Sequence, residues 1–144
     1  MKVEQLSIFL ENKVGRLAEV TTILAQAGIN IKALSLADTS EFGILRLIVD
    51  KSEEAQAALK AKNITVGRTG VVAVEVPHTP GGLNQILHIL EKRGVNVEYM
   101  YGLTSGDENA SIVLKASDQD KALKAIEASD FELFSSDETY YMND

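Results

Sequence analysis

The chain states one pattern twice. Asn12-Lys13-Val14-Gly15-Arg16-Leu17, followed by Ala27-Gly28-Ile29-Asn30-Ile31, returns 66 residues later as His78-Thr79-Pro80-Gly81-Gly82-Leu83, followed by Arg93-Gly94-Val95-Asn96-Val97. Asn12 and Asn30 stand 18 residues apart, and so do His78 and Asn96. Further on the register slips by one, so that Leu45, Leu47, Ala55 and Leu59 correspond to Ile112, Leu114, Ala122 and Ile126. A single extra residue in the turn ahead of Asn109 accounts for the slip. A repeat of this length signals duplicated domains rather than a solenoid.

The repeat divides 144 residues into 1–69 and 70–144. Each half lies near the lower end of independently stable sizes, so each is expected to lean on the other. A hydrophobic content of 45% suits a globular chain with a core. No apolar run approaches the ~18 to 20 residues that span a bilayer, and no basic segment leads into an apolar signal core. The absence of cysteine removes disulfides, thiolate metal sites and Cys nucleophiles together, which makes the cytoplasm the expected location. Residues 1–69 carry nine Lys and Arg against eight Asp and Glu, whereas 70–144 carry five against thirteen. An acidic second half without a basic cluster repels phosphate backbones, so neither nucleic acid nor a membrane is an expected partner.

The hydrophobic period changes in the same order in each half. Leu6, Ile8 and Leu10 alternate as a strand does, and Leu17, Val20, Ile23, Leu24 and Ala27 follow helical spacing. Gly28 ends that helix as a left-handed cap, and 29–36 reads as a second strand. A turn over 38–41 leads to a third strand over 42–49. Ser52 with Glu53 and Glu54 predicts a capped helix start, with Ala55, Ala58 and Leu59 on the buried face. A short fourth strand over 64–66 and a linker over 67–70 close the half. The second half repeats the order with strands over 71–76, 95–103, 110–114 and 131–134. Its helices are one presenting Leu83, Ile86, Leu87 and Leu90, and one capped by Ser117 with Asp118. The result is β-α-β-β-α-β twice, an α+β chain of two ferredoxin-like modules, expected side by side, each an antiparallel sheet with both helices on one face. Residues 137–144 include a β-prone Thr139-Tyr140-Tyr141-Met142, read either as an added edge strand or as a frayed tail.

Catalysis finds no support. There is no phosphate-binding glycine loop ending in Lys and Ser or Thr, no His pair at ligand spacing and no nucleophile-elbow serine. His88 shares a helix face with Asn84 and Glu91 and reads as a solvated side chain. No catalytic residue, metal or cofactor is expected. The repeated loops are different in kind, since each runs from a strand into a helix amino terminus, where free N–H groups and the positive dipole end suit a carboxylate or phosphate. Gly15 and Gly81 let a ligand approach the backbone, and Asn12 and His78 each offer a donor and an acceptor. The same residues also read as helix caps and turn formers, and Asn30 and Asn96 as satisfiers of backbone groups at a strand start.

Glu11-Asn12-Lys13-Val14-Gly15-Arg16-Leu17 resembles the loop of ACT domains, an Asn or Asp, any residue, Pro, Gly, any residue and Leu; Gly28-Ile29-Asn30-Ile31 resembles their next signature. Thr79-Pro80-Gly81-Gly82-Leu83 and Gly94-Val95-Asn96-Val97 repeat both, so the resemblance runs from about Lys2 to Phe134. It implies a regulatory module that binds a small ligand, most often a free amino acid, where paired domains meet, and that controls a metabolic enzyme or a transcriptional partner. It places effector contacts on Asn12, Lys13, Val14, Gly15, Arg16 and Leu17 with Asn96, and on His78, Thr79, Pro80, Gly81, Gly82 and Leu83 with Asn30. Val14 departs from the usual Pro, and His78 and Gly82 replace the Asn and Arg of the first copy. Serine-sensing relatives carry a His where Leu10 and Val76 stand, which argues against serine.

The implied function is a non-enzymatic amino-acid sensor; the alternative is an adaptor or regulatory subunit without a ligand. A homo-oligomer is compatible with both. In a ferredoxin-like module the first two strands run parallel, which puts Asn12 and Asn30 at opposite ends of one sheet. A side-by-side pair about a pseudo-twofold axis would bring Asn12 to Asn96 and His78 to Asn30. If so, a double-mutant cycle of Asn12→Ala and Asn96→Ala, measured on effector binding, shows coupling of at least ~0.5 kcal/mol. Strict additivity would assign the two residues to separate sites.

Overall fold

Alternation in the first apolar run produces β1 (Lys2–Glu11), with Leu6, Ile8 and Leu10 on one face. Helical spacing then gives α1 (Arg16–Gln26), followed by β2 (Ile31–Asp38), β3 (Phe42–Val49), α2 (Ser52–Ala61) and β4 (Val66–Pro77). The order continues with α3 (Gly82–Lys92), β5 (Val97–Leu103), β6 (Asn109–Ala116), α4 (Gln119–Glu127) and β7 (Glu132–Leu133). This computed structural model describes residues 2–38, 41–103, 109–129 and 132–133. The chain divides into two units, Glu4–Thr69 and Gly70–Asp144 with Met1–Val3. The β-α-β-β-α-β order of two ferredoxin-like modules is present, with β4 ending the first and opening the second.

In the first unit β3 lies between β1 and β2 and is antiparallel to both, with Leu45 opposite Ile8 on one side and Leu36 on the other. The strands β1 and β2 therefore run parallel. Leu6, Ile8, Leu45 and Leu47 meet Val20 and Leu24 of α1 and Ala55 and Leu59 of α2 in one core. The second unit repeats the plan. There β6 lies between β4 and β5, with Ile112 opposite Val74 and Gly102, and β7 pairs with β4 through Val74 and Leu133. Its core joins Val72, Val74, Ile112 and Leu114 to Ile86, Leu90, Ala122 and Ile126.

The helices end alike. After α1 the Gly28 N–H reaches the Ala25 carbonyl at 3.1 Å and the Ile29 N–H reaches Leu24 at 2.9 Å, which is a Schellman motif with glycine in the left-handed position. Gly94 and Val95 do the same for Glu91 and Leu90.

Local expectations shift in places. Residues 67–70 are not a linker but part of the unbroken strand β4; the strand expected over 29–36 is displaced by two residues, that over 95–103 begins two residues later, that over 110–114 extends to 109–116, and that over 42–49 is found as expected. Asp118, not Ser117, caps α4, accepting the Lys121 N–H at 3.0 Å. Ser52 is the first residue of α2 rather than its cap, and its hydroxyl lies 3.4 Å from Glu4 Oε1, tying the helix to β1. Leu17 and Leu83, expected on buried helix faces, are each 39% exposed. The predicted tail over 137–144, and Phe131 and Phe134 at the ends of the last strand, lie outside the described residues.

Burial separates two leucines of α1. Leu24 is fully buried, so Leu24→Ala should cost ~2 to 5 kcal/mol, while Leu17→Ala should cost well under that, both read from urea unfolding midpoints.

Candidate functional site

The first repeated loop is built from two tight turns. The Lys13 N–H bonds to the Glu11 carbonyl at 2.9 Å, closing a three-residue turn around Asn12, whose own N–H reaches Glu41 at 3.0 Å. The Arg16 N–H then reaches the Lys13 carbonyl at 3.3 Å, with Gly15 at φ 87° and ψ −10°. That is a type II turn, whose third residue needs a positive φ and whose second favours proline. Val14 occupies the second position with its side chain wholly in solvent, so the departure from proline disturbs no packing.

Gly15 is also the N-cap of α1, and it brings no side chain to cap the helix. The Glu19 N–H bonds back to Gly15 at 2.9 Å, while the N–H groups of Leu17 and Ala18, the second and third of the helix, have no carbonyl within the helix to meet. The capping role that the sequence allowed for Asn12 is therefore not the one it plays.

Beside this helix start lies a shallow pocket of about 90 Å³. Leu10, Leu17, Leu36 and Gly43 form its apolar lining, and Glu11, Asn12, Lys13 and Arg16 form its rim. The rim is charged in both senses. Lys13 Nζ is 2.9 Å from Glu11, and Arg16 lies 3.1 Å from Glu19 and 3.9 Å from Glu11. The hydrogen-bonded Lys13 ammonium, with its charge and that of Arg16, holds the Glu11 carboxyl below the usual glutamate range. Such exposed pairs are weak and exchange readily for an incoming ion. The site can therefore present cations to a carboxylate and a carboxylate to an ammonium, above an apolar floor.

The second loop has the same turn and a different surface. Gly82 N–H bonds to Thr79 at 3.0 Å, and Gly81 is the left-handed N-cap at φ 86° with Pro80 before it. Gly82 occupies the place of Arg16, and there a Cβ would stand 2.0 Å from the Pro77 carbonyl oxygen. The loop is drawn tight against the strand end, leaving no room for any side chain at that position.

Of the residues predicted for effector contact, the structure gathers Asn12, Lys13, Arg16 and Leu17 around one pocket, with Gly15 shaping the turn and Val14 facing away. His78, Thr79 and Pro80 are exposed on the second loop, ahead of Gly81, Gly82 and Leu83. Asn30 stands at the other end of its sheet, its N–H on Asp50 Oδ1 at 3.0 Å and its carbonyl accepting the Asp50 N–H at 3.2 Å. Asn96 is held likewise by Ser117, whose N–H donates to its carbonyl at 2.9 Å. The hydrogen bonds that fix these two residues run through the backbone, and both residues are exposed. His88 is exposed and lies 3.9 Å from Glu91, a solvated side chain as expected. Sequence reasoning missed Leu10, Leu36 and Gly43 as lining. The available signal was Gly43 itself, a glycine inside a strand pattern, which often marks a close approach.

The tight second loop makes a prediction. Gly82→Ala should destabilise the fold by several kcal/mol, in the range of a severe steric insertion, whereas Arg16→Gly should change the urea midpoint little. Similar losses from both would mean that the two loops are equally forgiving.

The sequence matches the ACT domain pair family over residues 1–142. Among solved structures, protein BT0572 from Bacteroides thetaiotaomicron is 40% identical, with a TM-score of 0.94 over 99% of this chain and 98% of that one. The ligand-free regulatory subunit of aspartate kinase from Thermus thermophilus has the same fold at 19% identity and a TM-score of 0.60, covering 87% of this chain and 91% of that one. The corresponding subunit from Thermus flavus is 18% identical, with a TM-score of 0.60 over 87% and 90%. No curated protein sequence matches significantly. Among the described residues no helix is long and apolar enough to cross a membrane, and no group of three or more His, Asp or Glu is placed to hold a metal ion. The duplicated β-α-β-β-α-β order, the turn glycine leading into the first helix of each module and the match over nearly the full length make this chain a member of the ACT domain pair family.

Proposed function

We propose that the chain is a regulatory sensor that binds a free amino acid, or a molecule with the same carboxylate and ammonium groups, at the loop of its first module. The bound state then alters a metabolic enzyme or a transcriptional partner, with no reaction catalysed by the chain itself and the cytoplasm as the setting. The observation that carries this reading is the pocket at the start of α1. Arg16 and Lys13 line the pocket at the uncapped helix start, a position suited to a carboxylate, and Glu11 and the Asn12 carboxamide lie beside it for an ammonium.

Asn30 and Asn96 take a different part. The strand β2 has eight residues and is ~26 Å long at the usual rise, so Asn30 cannot reach the ligand at its own module's loop. A role for these carboxamides in binding requires the loop of another module. The second loop lacks the Arg16 side chain and has no space to regain it, which favours one effector site of full strength per chain and a structural role for the second module. The adaptor reading is favoured by that half alone.

A thermal-shift screen of the full chain against the common amino acids tests the proposal. An effector at a hundred times its dissociation constant contributes ~2.7 kcal/mol, several degrees of melting temperature for a chain of this size. Asn12→Ala and Arg16→Ala should each remove most of the shift, with affinity falling about ten- to a hundredfold, while His78→Ala should do less. A flat profile for every amino acid, repeated by calorimetry, would put the adaptor reading first.

A further inference from the structure

The same pocket carries information about which amino acid it takes, provided the effector reading above holds. Gly43 is buried and belongs to the side of β3 that faces the helices, in register with Leu10 on β1. A Cβ at this position would lie 3.1 Å from Leu36 Cδ1 and 3.7 Å from the Ala37 carbonyl oxygen. Leu36 therefore lies over Gly43 at a distance only a glycine permits, and Leu10, Leu17 and Leu36 give the pocket its apolar surface. Every charged or polar side chain of the pocket belongs to the loop or to the first turn of α1; the floor offers no side-chain donor or acceptor.

The second module has different residues at these positions. Its counterparts of Leu10, Leu36 and Gly43 are Val76, Gly102 and Ala110. There the leucine wall is gone, and the floor carries a methyl group packed against the core.

We infer that the first-module pocket selects an α-amino acid with a short aliphatic side chain, and that Gly43 and Leu36 determine that choice. The α-carboxylate and ammonium remain at the polar rim, near Arg16, Lys13 and Glu11, and the side chain rests against Leu10, Leu17 and Leu36, whose position Gly43 sets. A hydroxyl or carboxamide placed there would lose its water without gaining a partner.

Calorimetry on the full chain with glycine, L-valine, L-leucine, L-threonine, L-asparagine and L-phenylalanine distinguishes the outcomes. Valine should bind at least about tenfold more tightly than its isostere threonine, and leucine more tightly than asparagine by a similar factor. Gly43→Ala, which crowds Leu36 Cδ1 and displaces it toward the pocket, should weaken valine and leucine by about tenfold while leaving glycine within about threefold. Leu36→Ala, on an exposed stretch of β2, should likewise weaken leucine and spare glycine, so the claim does not hang on one variant. Preference for threonine or asparagine, or equal weakening of all ligands by Gly43→Ala, would overturn the aliphatic assignment while leaving the effector site in place. Failure of every amino acid to bind the unaltered chain would instead overturn the effector reading and this inference with it.

Discussion

A strand that must become a helix within four residues has to reverse the sense of its backbone, and in both modules a left-handed glycine does this. Gly15 and Gly81 complete a type II turn and serve at once as the N-cap, so neither helix begins under a side-chain cap. The uncapped N–H groups that result would be a modest liability in an ordinary surface helix. Here they lie beside a cleft between the helix start and the sheet, and the cleft exists because α1 is anchored further along by Val20 and Leu24 while Leu17 stays at the surface. The turn, the partial exposure of Leu17 and the pocket are three views of one constraint.

The two modules show how a duplicated scaffold diverges without changing its plan. Most of their core positions correspond, and both first helices end in the same Schellman motif. Among the many differences, three at the loop and the adjoining strand ends alter the pocket region. An arginine becomes a glycine, a leucine on the edge strand becomes a glycine, and a glycine in the neighbouring strand becomes an alanine. None of these changes touches the buried centre of either core, which is why the fold tolerates them and the surface does not stay the same.

The architecture was legible because it rests on local periodicity. Leu6, Ile8 and Leu10 alternate, Val20, Ile23 and Leu24 recur at helical spacing, and the repeat reinforces each assignment with a second example. Residues 67–70 misled because two glycines flank charged and polar residues, a composition that suits a linker. Ladder pairing is a long-range interaction that such composition does not reveal, and it carries β4 straight through them. The cap of α4 moved from Ser117 to Asp118 because either side chain can accept the same N–H, and only the backbone angle decides which residue stands first. Asn12, Lys13 and Arg16 were legible as site candidates from the loop motif. Leu36 and Gly43 were not, because their meeting depends on the register between β2, β3 and β1, which brings together positions far apart in sequence.

The contact between Gly82 and the Pro77 carbonyl has an implication for history. Where a loop lies so close to its strand that even a methyl group collides with backbone, an arginine cannot enter that position by a single codon change, whatever selection favours. The backbone would first have to retreat, and nothing rewards that retreat until the side chain is already present. Position 82 is therefore closed to change, while position 16 already carries a long side chain at the surface. Two modules of one plan therefore differ in what their loops can accept, because in one of them the backbone already fills the space that a side chain would need.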